Sequence, residues 1–169
     1  MWRYALLILL ILGGCDGETL AANPPQEEAA IYNTILALEA SSDAHSGLYH
    51  AASMGGIPCH TSYIQGRVPD VSAGLIEQFC QRNSRDQPFS PAVLQQIRSP
   101  WPLVASRPLG TLNRLSAIQF NPTFTGALVY TSYSGPEFSG GRYFWLVKND
   151  GVWSIQHSAA GQACSRCIN

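Results

Sequence analysis

The sequence predicts an α+β domain: two to three N-terminal helices packed on a mostly antiparallel C-terminal β-meander of four or five strands. Three observations predict it. Apolar residues recur at helical spacing in the first half, as Ile31, Ile35 and Leu38 and again as Leu75, Ile76 and Phe79. From Leu112 onward the period switches to two. The breaks between those later segments are short turn chemistry, and connections of that length join antiparallel neighbours.

Asn23-Pro24-Pro25-Gln26-Glu27-Glu28 is a helix start. Asparagine can cap, proline is tolerated in the first turn, and acids there suit the helix dipole. The helix should end near Ser41-Ser42-Asp43. Ser46 to Met54 fits no single pattern, and Gly55-Gly56 breaks it. Ile57 to Ile64 reads as a strand, restricted by Pro58 to a strand start or an edge. Asp70 or Ser72 caps a second helix, and Ser90-Pro91 opens a third, short one through Ile97. Pro100, Pro102 and Pro108 make Ser99 to Gly110 an irregular connector.

Four strands follow: Leu112–Phe120, Ala127–Tyr133, Arg142–Lys148 and Val152–His157. Asn121-Pro122, Gly135-Pro136 with Gly140-Gly141, and Asn149-Asp150-Gly151 separate them. The third strand is apolar on both faces, with Tyr143, Trp145 and Val147 against Phe144 and Leu146. It should therefore be interior, with something packed on each side.

The 169 residues are 46% hydrophobic and only 12% charged, with a formal net charge of −1. That balance excludes a disordered chain and gives no basic surface for nucleic acid. The charge is unevenly placed. Residues 16–66 carry six acids and no Lys or Arg, whereas residues 67–169 carry nine bases and five acids. The basic half could receive an anionic partner, or the acidic first helix could pack over it.

The N-terminus reads as an address. One positive charge at Arg3, the apolar run Ala5–Leu12 and then Gly13-Gly14 have the layout of a secretory signal peptide. A helix of that run would span about 12 Å, too short to cross a bilayer. Leu12-Gly13-Gly14-Cys15 resembles the lipobox of bacterial lipoproteins. The resemblance implies cleavage before Cys15, diacylation of its thiol and acylation of the new amino terminus, with the membrane as partner. Asp16 resembles the inner-membrane retention signal of some enteric lipoproteins. The expected organisation is a signal peptide at 1–14, a lipidated cysteine and flexible tether at 15–24, one domain at 25–160 and a tail at 161–169.

Four further cysteines, Cys59, Cys80, Cys164 and Cys167, allow three disulfide connectivities in an exported domain. Cys59 near the start of the expected strand and Cys80 near the end of the following helix would meet if strand and helix, joined by a short loop, run back antiparallel, and Cys164-Ser165-Arg166-Cys167 can close on itself. The same C-x-x-C could be a redox motif or, with Cys59, His60 or Cys80, a zinc site. It has no following helix to lower a thiol pKa, and the second pair lacks zinc-ligand spacing. The reading assigns no cofactor and no metal.

His45, His50, His60 and His157 show no protease or metal spacing, and no serine sits in a nucleophile elbow. Ser139-Gly140-Gly141 lies between strands and lacks the helix N-terminus of a phosphate cradle. The segments Leu115–Asn121, Ala127–Tyr130, Gly141–Val147 and Asp150–Ile155 resemble a C-terminal meander of small, uncharacterised bacterial exported proteins. The closing D-G-x-W-x-I is also similar to the last hairpin of cone-shaped domains of the nuclear transport factor type, an alternative architecture. Neither resemblance carries catalytic residues across. The expected function is that of a membrane-anchored envelope lipoprotein acting as a non-catalytic binding or accessory module, with a possible envelope protein partner. The alternative is a periplasmic hydrolase assembled from residues distant in sequence, such as His60, Asp70 and His157.

Overall fold

The first helix begins where its flanking residues allow. α1 spans Pro25–Glu39, and the Pro24 carbonyl accepts the Glu27 and Glu28 amides at 3.1 Å. The Asn23 side-chain amide donates to Glu28 Oε1 at 2.6 Å and to the Ile118 carbonyl at 2.9 Å, fastening the helix start to the sheet. Ala29, Ile31, Tyr32, Ile35 and Leu36 form its buried stripe. The computed structural model describes residues 23–39, 47–49, 57, 59–104, 112–134, 138–161 and 164–165.

β1 (Gly47–Tyr49) precedes α2 (Thr61–Arg67), α3 (Ala73–Arg82) and α4 (Pro91–Leu94). The strand expected over Ile57–Ile64 is corrected here, because the chain turns helical at Thr61. A strand would set Tyr63 and Ile64 on opposite faces. The helix instead stacks Ile64 and Val68 four residues apart, and both are fully buried. Ser72 caps α3 by accepting the Leu75 amide at 3.3 Å. Ser90 precedes Pro91 at the start of α4, which ends earlier than the spacing to Ile97 suggests.

The remaining strands are β2 (Leu103–Val104), β3 (Leu112–Leu115), β4 (Gln119–Phe120), β5 (Gly126–Ser134), β6 (Phe138–Asn149), β7 (Val152–Ala160) and β8 (Cys164–Ser165). They form one sheet in the order β2-β1-β3-β5-β6-β7, with β4 also pairing β5 and β8 pairing β6. β1 runs parallel to β2 and β3, and every other pairing is antiparallel. The segment 112–120, expected as one strand, is two. At the interruption Ser116 Oγ accepts the Tyr130 amide at 2.8 Å, and Asn83 Oδ1 accepts the Ala117 amide at 2.8 Å. These side-chain bonds satisfy backbone groups that the break removes from the ladder. Two short strands, β1 and β2, lie in stretches where the sequence showed no period.

Alternation along β5 and β6 builds two cores on opposite faces of the sheet. Ala127, Val129, Phe144 and Leu146 pack with Ile31, Tyr32, Ile35 and Leu36 of α1 and Val93 of α4. Leu128, Tyr130, Tyr143 and Trp145 pack with Ile64 and Val68 of α2 and with Leu75, Ile76 and Phe79 of α3. β6 is thus an interior strand covered by helices on both sides. Fully burying a side chain such as Phe79 or Phe144 stabilises by roughly 2–3 kcal/mol. No helix among the described residues is long and apolar enough to cross a membrane.

Candidate interaction surface

Antiparallel helix geometry sets the cysteine pair. Cys59 lies just before α2 and Cys80 in the last turns of α3, so the two helices fold back and their outer ends meet. The two cysteines form a disulfide with Cα atoms 5.5 Å apart, closing a separation of 21 residues. Cys164 pairs through its backbone with Ser139. Cys15 and Cys167 lie outside the described residues, as do His45 and His50.

The acids of α1 all meet bases of the later half. Glu27 Oε1 accepts Lys148 Nζ at 2.6 Å, and its Oε2 accepts the Trp153 indole Nε1 at 2.6 Å. The Lys148 hydrogen bond is the main reason that the Glu27 carboxyl lies below its ordinary value. At the far end of the helix, Glu39 Oε1 lies 3.6 Å from Arg142 Nη1. Glu28 differs from both. Burial pushes its carboxyl up, and the Asn23 hydrogen bond and the Arg82 charge only partly oppose this. Burial also pulls the Arg82 guanidinium down, while its Nε donates to Gln119 Oε1 at 3.0 Å. Each acid of α1 thus faces a base of the later half: Glu27 faces Lys148, Glu39 faces Arg142 and Glu28 faces Arg82.

Near the start of α1 one exposed aromatic ring lies over two buried ones. Phe120 packs against Trp153 with ring centroids 5.7 Å apart and against Phe124 at 5.3 Å. Phe124 sits in the β4–β5 loop with φ of 54° and remains 43% exposed. A left-handed backbone costs a bulky residue about 1–2 kcal/mol. Asn121 holds that conformation: its carbonyl accepts the Phe124 amide, and its Oδ1 accepts the Thr125 and Gly126 amides. The Lys148 amide donates to the Thr125 carbonyl at 2.8 Å, so this loop is tied to the end of β6. The β6–β7 hairpin turns at the same end through Asp150 and Gly151, both at positive φ as a two-residue type I′ turn requires. Val152 follows it, 68% exposed.

A second feature lies on the outer side of α1. A cleft of about 360 Å³ between α1 and the segment that follows α4 is lined by Gln26, Asn33, Gln95, Gln96 and Arg98 together with two alanines. Asn33 braces it, donating to the Gln96 carbonyl at 3.0 Å and accepting the Arg98 amide at 2.6 Å. Amides and a guanidinium recognise peptide groups and carboxylates, and they neither titrate near neutrality nor serve as nucleophiles.

The dispersed hydrolase residues are not drawn together by bonding. His60 immediately precedes α2, Asp70 follows that helix, and His157 sits opposite Trp145 on β7. No hydrogen bond or ion pair joins any two of the three. Among the described residues no three His, Cys, Asp or Glu side chains group as metal ligands. The tyrosines beside α2 are packing groups: Tyr143 meets Tyr130 at 4.6 Å and Tyr63 at 6.5 Å. Burial pushes the Tyr130 hydroxyl up to about 12 and the Tyr143 hydroxyl higher still.

Sequence reasoning missed Phe124 and the cleft. The run Asn121-Pro122-Thr123-Phe124-Thr125 carries turn chemistry only, and a phenylalanine inside it was the one visible irregularity. The cleft depends on how α1 meets the segment that follows α4, which no local pattern encodes. Neither a protein-family model, nor a curated protein, nor a solved structure matches the chain.

Proposed function

We propose that this chain is a bacterial envelope lipoprotein, held at the membrane through acylated Cys15, whose domain serves as a non-catalytic binding or accessory module. The observation that carries the reading is the tetrad Leu12-Gly13-Gly14-Cys15 at the end of the apolar run Ala5–Leu12. The Cys59–Cys80 disulfide supports an oxidising compartment, the periplasm or the cell exterior, because such bridges persist where thiols are not kept reduced. Asp16 favours retention at the inner membrane. Two or more acyl chains give stable anchoring where one gives only marginal binding. The amide-lined cleft between α1 and the segment that follows α4 supports binding as its role, with an envelope protein segment presenting peptide groups or a carboxylate as the partner.

Membrane fractionation of the Cys15→Ala variant tests this. The wild-type chain should remain with membranes through high-salt washing and move into detergent. The variant should be released or should accumulate as an uncleaved precursor. A variant that stays membrane-bound at the mature mass would overturn the reading. Photo-crosslinking from Gln95 on intact cells then asks whether the cleft is occupied, and Arg98→Glu should reduce any adduct formed there.

A further inference from the structure

The domain has one end at which three things coincide: the chain's arrival from Cys15, the β4–β5 loop and the β6–β7 hairpin. Asn23 is bonded to the Ile118 carbonyl, and Glu27 to Lys148 and Trp153, so α1 starts at this end. It finishes near Arg142, toward the opposite end of β6. Among the described residues four large apolar side chains are exposed, Val152 most of all and Leu38, Leu103 and Phe124 a little under half. Two of these, Phe124 and Val152, occupy the end where the chain arrives.

We infer that this end, with Phe124 and Val152 at its tip, is a lipid-facing surface that seats the domain on the bilayer to which Cys15 is anchored. The inference rests on the proposed acylation of Cys15. Cys15 lies eight residues before Asn23, and at about 3.3–3.6 Å per residue the chain between them reaches no further than about 29 Å. The tip is therefore confined close to the headgroups, and even a weak contact operates at high effective concentration. A bilayer is the occupant that the tether itself delivers. The side chains suit it: an aromatic and an aliphatic group at the tip, with the indole of Trp153 and the ammonium of Lys148 just behind. Glu27 cancels the Lys148 charge and Asp150 leaves an exposed carboxylate at the hairpin, so no basic group draws this end to anionic lipid and the contact rests on apolar insertion of Phe124 and Val152. It should persist in zwitterionic lipid and vary little with salt.

The test uses the mature, acylated protein in vesicles of phosphatidylcholine and phosphatidylethanolamine, with diacylation of Cys15 verified by mass. Phe124→Trp and, as a control at the far end of α1, Leu38→Trp are compared for quenching by bromine-labelled acyl chains. Quenching should be about twofold or more at position 124 and absent at 38, as expected for an interfacial aromatic. Phe124→Asn suits the left-handed backbone and removes the apolar contact; in that background quenching of a Val152→Trp reporter should fall. Equal or no quenching at 124 in acylated protein would overturn the lipid-facing surface and leave the anchor intact. A chain without acyl groups would overturn both. Shielding of residue 124 in native membranes but not in pure lipid would overturn it in favour of a protein partner.

Discussion

Glu27 accepts a 2.6 Å hydrogen bond from the indole of Trp153, 126 residues further along the chain. With Lys148 on the other carboxylate oxygen, this residue ties the first helix to the last hairpin. Glu27→Ala should cost about 2–3 kcal/mol and Glu27→Gln about 1–2 kcal/mol, read by chemical denaturation. The pH dependence follows from the lowered carboxyl. Its contribution is complete above the ordinary value of 4.5 and is lost as pH falls through the folded value. Glu27→Gln should therefore flatten the acid limb of the stability profile.

The neighbouring Glu28 should behave with the opposite sign. Its carboxyl is raised by burial, so its ionisation opposes folding from the ordinary value of 4.5 upward, and that cost persists at neutral pH. Glu28→Gln should leave neutral stability unchanged or raise it by up to about 1 kcal/mol. A loss larger than that of Glu27→Gln would contradict the assignment.

Removal of the Cys59–Cys80 bridge by paired serine substitution should destabilise the domain by about 3 kcal/mol on chain-entropy grounds for a loop of this length. Thermal melts with and without reductant check this: the wild type should lose its advantage on reduction, and the double variant should not respond. Peptide mapping without reduction should recover Cys59 joined to Cys80.

Gly141 is a packing requirement. A Cβ there would overlap the Tyr130 hydroxyl and come within 2.5 Å of the Thr131 carbonyl oxygen, and backbone cannot step aside as a flexible side chain can. Gly141→Ala should therefore cost about 1–3 kcal/mol. Gly151→Ala meets no neighbour and strains only its positive φ, so it should cost about 1 kcal/mol. The two melting temperatures give the order.

Much of this fold was legible locally. The helix start at Pro25, Ser72 as one of the two caps the sequence offered, and the Asn149–Gly151 turn follow from residue chemistry that acts within a few positions. Asn23, expected as a cap, instead donates its amide to Glu28 and to the distant Ile118 carbonyl. The double-faced apolar pattern of Tyr143–Val147 correctly implied an interior strand. What failed was short or non-local. Ile57–Ile64 is eight residues of mixed character, and only the pairing of Ile64 with Val68 beneath Tyr130 and Tyr143 decides that its end is helical. The break at Ser116 depends on Asn83, a residue 34 positions away from Ala117 that supplies the missing acceptor. Parallel β1 and β2 are three and two residues long, below the length at which alternation can be seen. Of the candidate surface, the acidic and basic halves of the chain offered packing of α1 over the basic half as one of two readings, whereas the exposed, left-handed Phe124 and the amide cleft exist only once the loops are placed.

The central claim is that Cys15 carries the lipid that places this domain at a membrane. Intact-mass measurement of the protein purified from bacterial membranes tests it most directly. The expected chain begins at Cys15 and carries a thioether-linked diacylglyceryl group and one amide-linked acyl group, of which ester hydrolysis removes two acyl chains and leaves the amide-linked one. A mature chain that begins at another residue, or that begins at Cys15 with an unmodified thiol, would contradict it.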